Sequence, residues 1–411
     1  MTPGSNPHRQ AFWIFCSVVD NLGDAGVCWR LARQLAADHA IDPTLIIDQP
    51  ATLSLIEPRL RSPIQSLDGV TIVALDSFSS WLQGNSAVPD PAGIRAPLST
   101  RTGPDSELRS PAVIISAFGS ALPAMLRTEL AGGPARPLWI HLEYLSAEDW
   151  VESCHGLISV KPDDGAREHF LYPGFTKRTA GLLRETGLIR AREDFVRSNG
   201  PAQFLSRMGS APVAGQLAVS LFCYPSAPVG AWLEALSESR QETVVYAAAG
   251  SADQALLARY GRLPALGERF QDGSLSLLRL PMLSQADYDR LLWSCSVNFV
   301  RGEDSWIRAH WAGVPFVWQA YPQTEDTHLA KLDAFLQKIR ESAADPDCLL
   351  ATENMMRRWN GAAQSSCLAQ DWAAMVDQLP RSRLAFDRWS SRLAGQPDLA
   401  GFLAQYCFDR L

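Results

Sequence analysis

The sequence predicts an α/β protein built from two doubly wound domains facing a cleft, and three observations lead there. Short apolar runs without polar alternation recur through the first half of the chain, as strands covered on both faces require. A change of character at residues 197–215 interrupts them, after which strand-like runs begin again. The length of 411 residues, with 46% hydrophobic and 20% charged side chains, is enough for two cores.

The first set of strands is FWIFCSVV (12–19), TLIID (44–48), VTIVAL (70–75), AVIISAF (112–118), LWIHLEY (138–144) and GLISV (156–160). Between the first two, Val27, Leu31 and Leu35 recur every four residues with Cys28 alongside, one apolar stripe of a helix. Strand, turn, helix and strand make the βαβ opening of a doubly wound domain. Residues 85–110, rich in Pro, Ser, Gly and Arg, read as a mobile surface loop. The second set of strands is QLAVSLFCY, TVVYAAAG, LSLLRLPM, VNFVRG and VPFVWQ. The expected organisation is an N-terminal Rossmann-like domain over 1–196, a linker over 197–215 and a C-terminal Rossmann-like domain over 216–380. Helices follow over 381–411, whose Leu384, Phe386, Trp389, Leu393, Phe402, Leu403 and Tyr406 suit a return to the first domain.

A net charge of −7 without any run of five like charges disfavours a nucleic-acid partner. The eight cysteines are scattered, have mostly apolar neighbours and form no CxxC pair, so buried thiols in a reducing compartment are expected rather than a zinc framework. Nowhere do eighteen apolar residues run together, so the expectation is a soluble, cytoplasmic protein without a membrane partner.

Two turns carry the chemistry. In VVDNLGDAGVCWRLARQLA (18–36), Asn21, Gly23 and Gly26 fall at the GxGxxG spacing, and Asp48 ends the next strand where a ribose-binding acid would sit. The first glycine is missing, and Asp24 would face the pyrophosphate. Two unit charges about 4 Å apart repel by roughly 4 kcal/mol at an effective dielectric near 20, so no cofactor phosphate is expected there. Two readings remain. Asp24 caps the helix and Asp20 makes a turn hydrogen bond, or the two acids at the strand end supply a general base and its companion.

The second turn lies in VNFVRGEDSWIRAHWAGVPFVWQAYPQTEDTHLAKLDAF (297–335). Glu303, Asp304 and Ser305 open a helix whose free N–H groups suit an anion, with capping by Asp304 or Ser305 as the plainer use. Arg301 can meet phosphate oxygens, and a carboxylate can hold ribose or sugar hydroxyls. Tyr321, Gln323, Asp326 and His328 on the next turn are weaker candidates. His328 has no metal-ligand spacing near it and reads as a surface or capping histidine.

DNLGDAGVCWRLARQL, SLFCY (220–224) and the run from QADYDRLLWS to FVWQAYPQ (285–323) resemble, in the same order, the bacterial arginine rhamnosyltransferases that modify elongation factor P. The resemblance implies a GT-B glycosyltransferase that inverts, needs no metal or cofactor, and moves rhamnose from dTDP-β-L-rhamnose to one arginine side chain of elongation factor P. It assigns catalysis to Asp20 and Asp24, with Asp24 as general base. Asn21 and Gly23 then line the acceptor turn, and Phe222, Tyr224, Gln285, Arg301, Glu303, Asp304, Ser305 and Tyr321 bind the donor. The chain departs from the family at PMLSQ, where Met282 replaces an aromatic residue and either touches the thymine ring or fills the core below Gln285. Removing a proton in advance from a group of pKa about 13 with a carboxylate of pKa about 4 would cost about 12 kcal/mol, so the proton leaves as the nitrogen–carbon bond forms. Two other functions stay open: a transferase of the same fold with a small-molecule or lipid acceptor, and a non-catalytic nucleotide-binding regulator in which Asp24 only caps.

Overall fold

The computed structural model describes residues 9–20, 22–84, 109–132, 136–162, 165–323, 326–362 and 367–411. The chain divides into two compact units, Met1–Thr186 with Pro397–Leu411, and Gly187–Gln396. In the first, β1 (Ala11–Cys16), α1 (Leu22–Asp38), β2 (Asp42–Ile47), α2 (Pro50–Ile56), β3 (Ile64–Leu67), β4 (Val70–Ala74) and α3 (Leu75–Gly84) are followed by β5 (Val113–Ala117), α4 (Ala124–Gly132), β6 (Leu138–Leu142), α5 (Trp150–Cys154), β7 (Ile158–Val160) and β8 (Arg167–Leu171). The strands order β3-β4-β2-β1-β5-β6-β8-β7. The six from β4 to β8 pair in parallel, and β3 and β7 close the edges antiparallel.

The second unit opens with α6 (Leu188–Arg197) and α7 (Gly200–Arg207). It continues through β9 (Leu217–Leu221), α8 (Val229–Ser237), β10 (Thr243–Ala248), α9 (Asp253–Tyr260), β11 (Arg269–Asp272), β12 (Leu275–Leu280), α10 (Gln285–Ser294) and β13 (Val297–Arg301). It ends with α11 (Asp304–Ala312), β14 (Phe316–Gln319), α12 (Thr327–Ser342), α13 (Leu350–Trp359) and α14 (Leu368–Ala394). Its sheet orders β11-β12-β10-β9-β13-β14, parallel except for β11. Each sheet thus grows outward from its first strand in both directions, the doubly wound pattern.

Burial explains the strand sequences. All six residues of β1 are buried, so AFWIFC cannot alternate with polar residues. Trp13 and Phe15 face Phe78 and Leu126 on one side of the sheet, with Trp13 meeting Phe78 edge-on at 5.1 Å. The stripe of Val27, Leu31 and Leu35 is buried on α1, which packs on β1 and β2. In the second unit Trp232, Phe299, Trp359 and Trp372 pack as one aromatic cluster, with ring centroids 4.5 to 6.3 Å apart. No helix among the described residues is long and apolar enough to cross a membrane.

Three sequence boundaries differ from the structure. Residues 197–215 contain α7, whose Phe204 and Leu205 are buried with Val244 and Leu278, so this stretch belongs to the second core. Pro380 lies inside α14, which runs for 27 residues, instead of marking a domain edge. Phe386 packs against Phe316, and Trp389 Nε1 donates to His310 Nδ1 at 3.0 Å, so this part of the tail stays with the second unit, while Leu384 is exposed. Residues 85–108 of the expected loop lie outside the described residues.

Only α15 (Leu399–Phe408) joins the first unit. Leu399 N–H donates to the Leu182 carbonyl at 3.0 Å. Gln34 Nε2 donates to the Arg184 carbonyl at 2.7 Å and to Asp398 Oδ1 at 2.9 Å. Gly181 makes this crossing possible, with φ +73° and a bare Cα facing the Pro397 carbonyl oxygen, where a Cβ would collide. Gly181→Ala is therefore expected to cost about 1 to 3 kcal/mol in denaturant unfolding, with faster hydrogen exchange in α15 than in α1.

Candidate active site

At a reversal of strand order the two neighbouring connections leave on opposite faces of the sheet, so the carboxyl ends of those strands stay open to a ligand. The reversals fall between β1 and β5 and between β9 and β13. Asp20, Gly23 and Asp24 follow β1, Phe222 and Tyr224 follow β9, and Arg301 to Ser305 end β13 and begin α11. The sequence candidates thus gather at two places, one in each unit.

In the first unit the loop after β1 is clamped from both neighbouring strands. Ser17 N–H donates to Ser120 Oγ at 2.7 Å, and that hydroxyl donates to the Ala117 carbonyl at 2.5 Å. Val18 N–H donates to Asp48 Oδ1 at 3.0 Å, which gives Asp48 a role in holding the loop. The next two N–H groups, of Val19 and Asp20, both donate to Asp24 Oδ2 at 2.8 Å. Asp24 lies within the first turn of α1, so it caps nothing further along the helix. It draws onto itself the amides that a phosphate would have needed. The Tyr144 hydroxyl donates to the same carboxylate. Burial raises the Asp24 pKa above the ordinary carboxylate value, the two backbone donors and Tyr144 oppose the rise, and the charge of Asp48 adds to it.

Asp20 is half-buried, and its carbonyl accepts from Gly23 N–H at 2.8 Å. A Cβ on Gly23 would come within 2.7 Å of Asp20 Oδ2, so the glycine leaves room for that carboxylate. Asn21 lies outside the described residues.

In the second unit the Arg301 guanidinium lies between two rings, 4.4 Å from the Phe222 centroid and 4.5 Å from that of Tyr224. No carboxylate or carbonyl among the described residues accepts from it, so its N–H edge is available to an anion. Tyr224 N–H donates to Gln319 Oε1 at 2.7 Å, and Tyr321, 45% exposed, meets Tyr224 edge-on at 5.6 Å. Gly302, with φ +60°, turns the chain from β13 into α11. Glu303 is buried and makes no side-chain cap, so the plainer reading of this turn as a capped helix start does not describe it.

The Ser305 hydroxyl accepts from Arg301 N–H at 3.0 Å and donates to the Arg301 carbonyl, which ties α11 to the strand end. With the hydroxyl engaged, any contribution of Ser305 to a ligand would come through the helix N-terminus. Gln285, the first residue of α10, is buried, with Nε2 3.4 Å from Asp304 Oδ2. One turn further along both helices, Arg308 forms a buried two-pronged pair with Asp289 at 2.9 and 2.7 Å. These two rungs fix the start of α10 against the start of α11. Met282 is 38% exposed and does not fill a core below Gln285. His328 is buried, with Nε2 3.3 Å from the Asn360 carbonyl, and is not a surface histidine.

Sequence reasoning missed Tyr144, Ser120, Gln319, Asp289 and Arg308. The last two had a signal, since each follows a named candidate by four residues on a helix. The others are distant in sequence from what they hold. Among the described residues no group of His, Cys, Asp or Glu is arranged to hold a metal ion.

Two doubly wound units in one chain, each with polar residues at its strand-order reversal, make the GT-B architecture of many nucleotide-sugar glycosyltransferases. The profile of the family described as Elongation-Factor P (EF-P) rhamnosyltransferase EarP matches residues 12–408, and the chain belongs to that family. A protein-arginine rhamnosyltransferase of Pseudomonas aeruginosa is 39% identical over 407 residues, covering 98% of this chain and 100% of the relative. One from Neisseria meningitidis serogroup B is 31% identical over 406 residues, covering 96% and 97%. A solved structure described as the structural basis for EarP-mediated arginine glycosylation of translation elongation factor EF-P superposes with a TM-score of 0.64 at 29% identity, covering 98% of this chain and 100% of its own.

Removing one partner of a buried ion pair leaves the other charge uncompensated, at a cost of about 3 to 5 kcal/mol. Asp289→Ala is expected to lose that much stability in chemical denaturation, and Asp289→Ala with Arg308→Met to recover most of it.

Proposed function

We propose that this chain transfers rhamnose from dTDP-β-L-rhamnose to an arginine side chain of elongation factor P, with inversion and without a metal. The observation that carries the reading is the turn after β1, where a buried, proton-attracting Asp24 stands four residues from a second carboxylate at a strand end. A cationic acceptor suits such a turn and a phosphate does not. The names of the relatives, protein-arginine rhamnosyltransferases, and the EF-P acceptor of the solved family structure support the same acceptor class.

The guanidinium nitrogen attacks the anomeric carbon, a nitrogen–carbon bond forms, and the carbon–oxygen bond to the diphosphate breaks with its electron pair going to oxygen. As the bond forms the nitrogen becomes acidic, and Asp24 takes its proton while Asp20 orients the planar group. In the second unit Arg301 and the N-terminus of α11 stabilise the leaving dTDP. Glu303 and Asp304 take sugar hydroxyls, since a carboxylate facing the diphosphate would meet the repulsion that excludes a phosphate beside Asp24. The eight unpaired cysteines support a reducing, cytoplasmic setting.

The deciding experiment is mass spectrometry of purified elongation factor P incubated with this protein and dTDP-rhamnose. One deoxyhexose on one arginine is expected, and an unmodified acceptor beside a donor-binding enzyme would reject the reading. Asp24→Asn should abolish transfer with donor affinity nearly unchanged, because a role confined to the transition state is lost. Near-normal turnover would sink the general-base role. Arg301→Ala should weaken dTDP binding by about 1.5 to 3 kcal/mol in calorimetry, the range for hydrogen bonds to charged groups, and chelator should leave turnover intact.

A further inference from the structure

Tyr144 stands two residues past the end of β6, and Phe118 one residue past the end of β5, the strand between β6 and β1. The two rings stack at 4.6 Å with an interplanar angle of 18°. Phe118 reaches this position with φ +56°, a left-handed backbone that a bulky side chain avoids, followed by Gly119 at φ +72°. Its N–H remains tied to the Leu142 carbonyl at 2.8 Å, so the twist occurs on a fixed strand end. Strain of this kind persists only where surrounding contacts over-determine it. Here it carries an aromatic ring under Tyr144, and the Tyr144 hydroxyl crosses the end of β5 to donate to Asp24.

We infer that Tyr144 is a positioning residue for the transfer reaction, fixing the Asp24 carboxylate in its ionised, proton-accepting form, with Phe118 as the support of its ring. The inference rests on Asp24 being the general base. Oδ2 already accepts two backbone N–H groups, which settle the orientation of the carboxylate relative to the loop. A phenol is a donor that a substrate cation does not displace by charge repulsion, and it stabilises the anion without neutralising it, as a lysine or arginine would. The other groups that bear on Asp24 are Asp48, from the end of β2, which disfavours the anion, and Asp20, which contributes its backbone N–H. Among the described residues Tyr144 is the side-chain donor acting in favour of the charge.

The sign follows. Deleting the hydroxyl leaves burial and Asp48 less opposed, so the Asp24 pKa rises and the base is lost at a higher pH as acid is added. In Tyr144→Phe, carbon-13 NMR of aspartate-labelled protein should show Asp24 titrating about one to two pH units higher. The acid limb of the kcat profile should move by the same amount, with turnover recovering above it and the donor KM unchanged. Phe118→Leu, which keeps the hydroxyl but loosens its support, should give a smaller shift in the same direction, and it serves if Tyr144→Phe does not fold. An unmoved Asp24 titration and acid limb would overturn the inference, whether or not turnover falls. If Asp24→Asn keeps its turnover, the general-base reading fails instead, and the NMR shift distinguishes the two outcomes.

Discussion

Each sheet reverses its strand order once, and this single feature of topology decides where chemistry can occur. The inner strands are covered on both faces, so their side chains must be apolar along their whole length. Polar residues are pushed to the strand ends, and only at a reversal are two neighbouring ends left uncovered by their own connections. In the first unit that place is beside β1 and β5, and in the second beside β9 and β13. The clustering of Asp20 and Asp24, and of Arg301 to Ser305, follows from the burial of AFWIFC and VNFVR as much as from any demand of catalysis.

The same strand–turn–helix unit is set to opposite electrostatic tasks. A turn leading into a helix offers unpaired amides and suits an anion by default. In the first unit the amides of Val18, Val19 and Asp20 go to the carboxylates of Asp48 and Asp24, so the anion site is filled from within the chain. What remains there is negative charge, fit for a cation. In the second unit the positive group is held between two aromatic rings, whose faces attract it without neutralising it, and no acid among the described residues pairs with it. Buried arginines elsewhere take the other course: Arg308 pairs with Asp289 and Arg30 with Glu185. The difference separates Arg308 and Arg30, which hold the fold together, from Arg301, whose place between two rings leaves its N–H edge suited to an anionic ligand.

The parts of this arrangement that were legible in the sequence are those written in consecutive residues. The apolar runs announced the strands, the stripe of Val27, Leu31 and Leu35 announced α1, and the two acidic turns announced the strand ends. The use of each side chain was not legible where its partner is far along the chain. Nothing near Tyr144 signals that it reaches Asp24, 120 positions earlier by subtraction of their numbers, and nothing near Arg301 signals that Phe222 and Tyr224 will enclose it. The boundary errors have a similar cause. A proline and a polar, glycine-containing stretch are local stop signals, but the burial of Phe386 and Trp389 carries α14 past Pro380, and Phe204 and Leu205 pull α7 into the core.

The donors around Asp24 limit how strong a base it can become. In the proposed transfer each unit by which its pKa rises would narrow the mismatch with a guanidinium by about 1.36 kcal/mol, so burial would favour the proton transfer. Burial carried further would leave the carboxyl protonated before the acceptor arrives, and a protonated acid cannot take a proton. Two peptide N–H groups and one phenol oppose that outcome while adding no positive charge, which would both lower the basicity more steeply and repel the incoming cation. Neutral donors therefore suit this turn for the same reason that a phosphate does not. For the proposed transfer the carboxylate must stay charged and buried until the acceptor brings a cation to it.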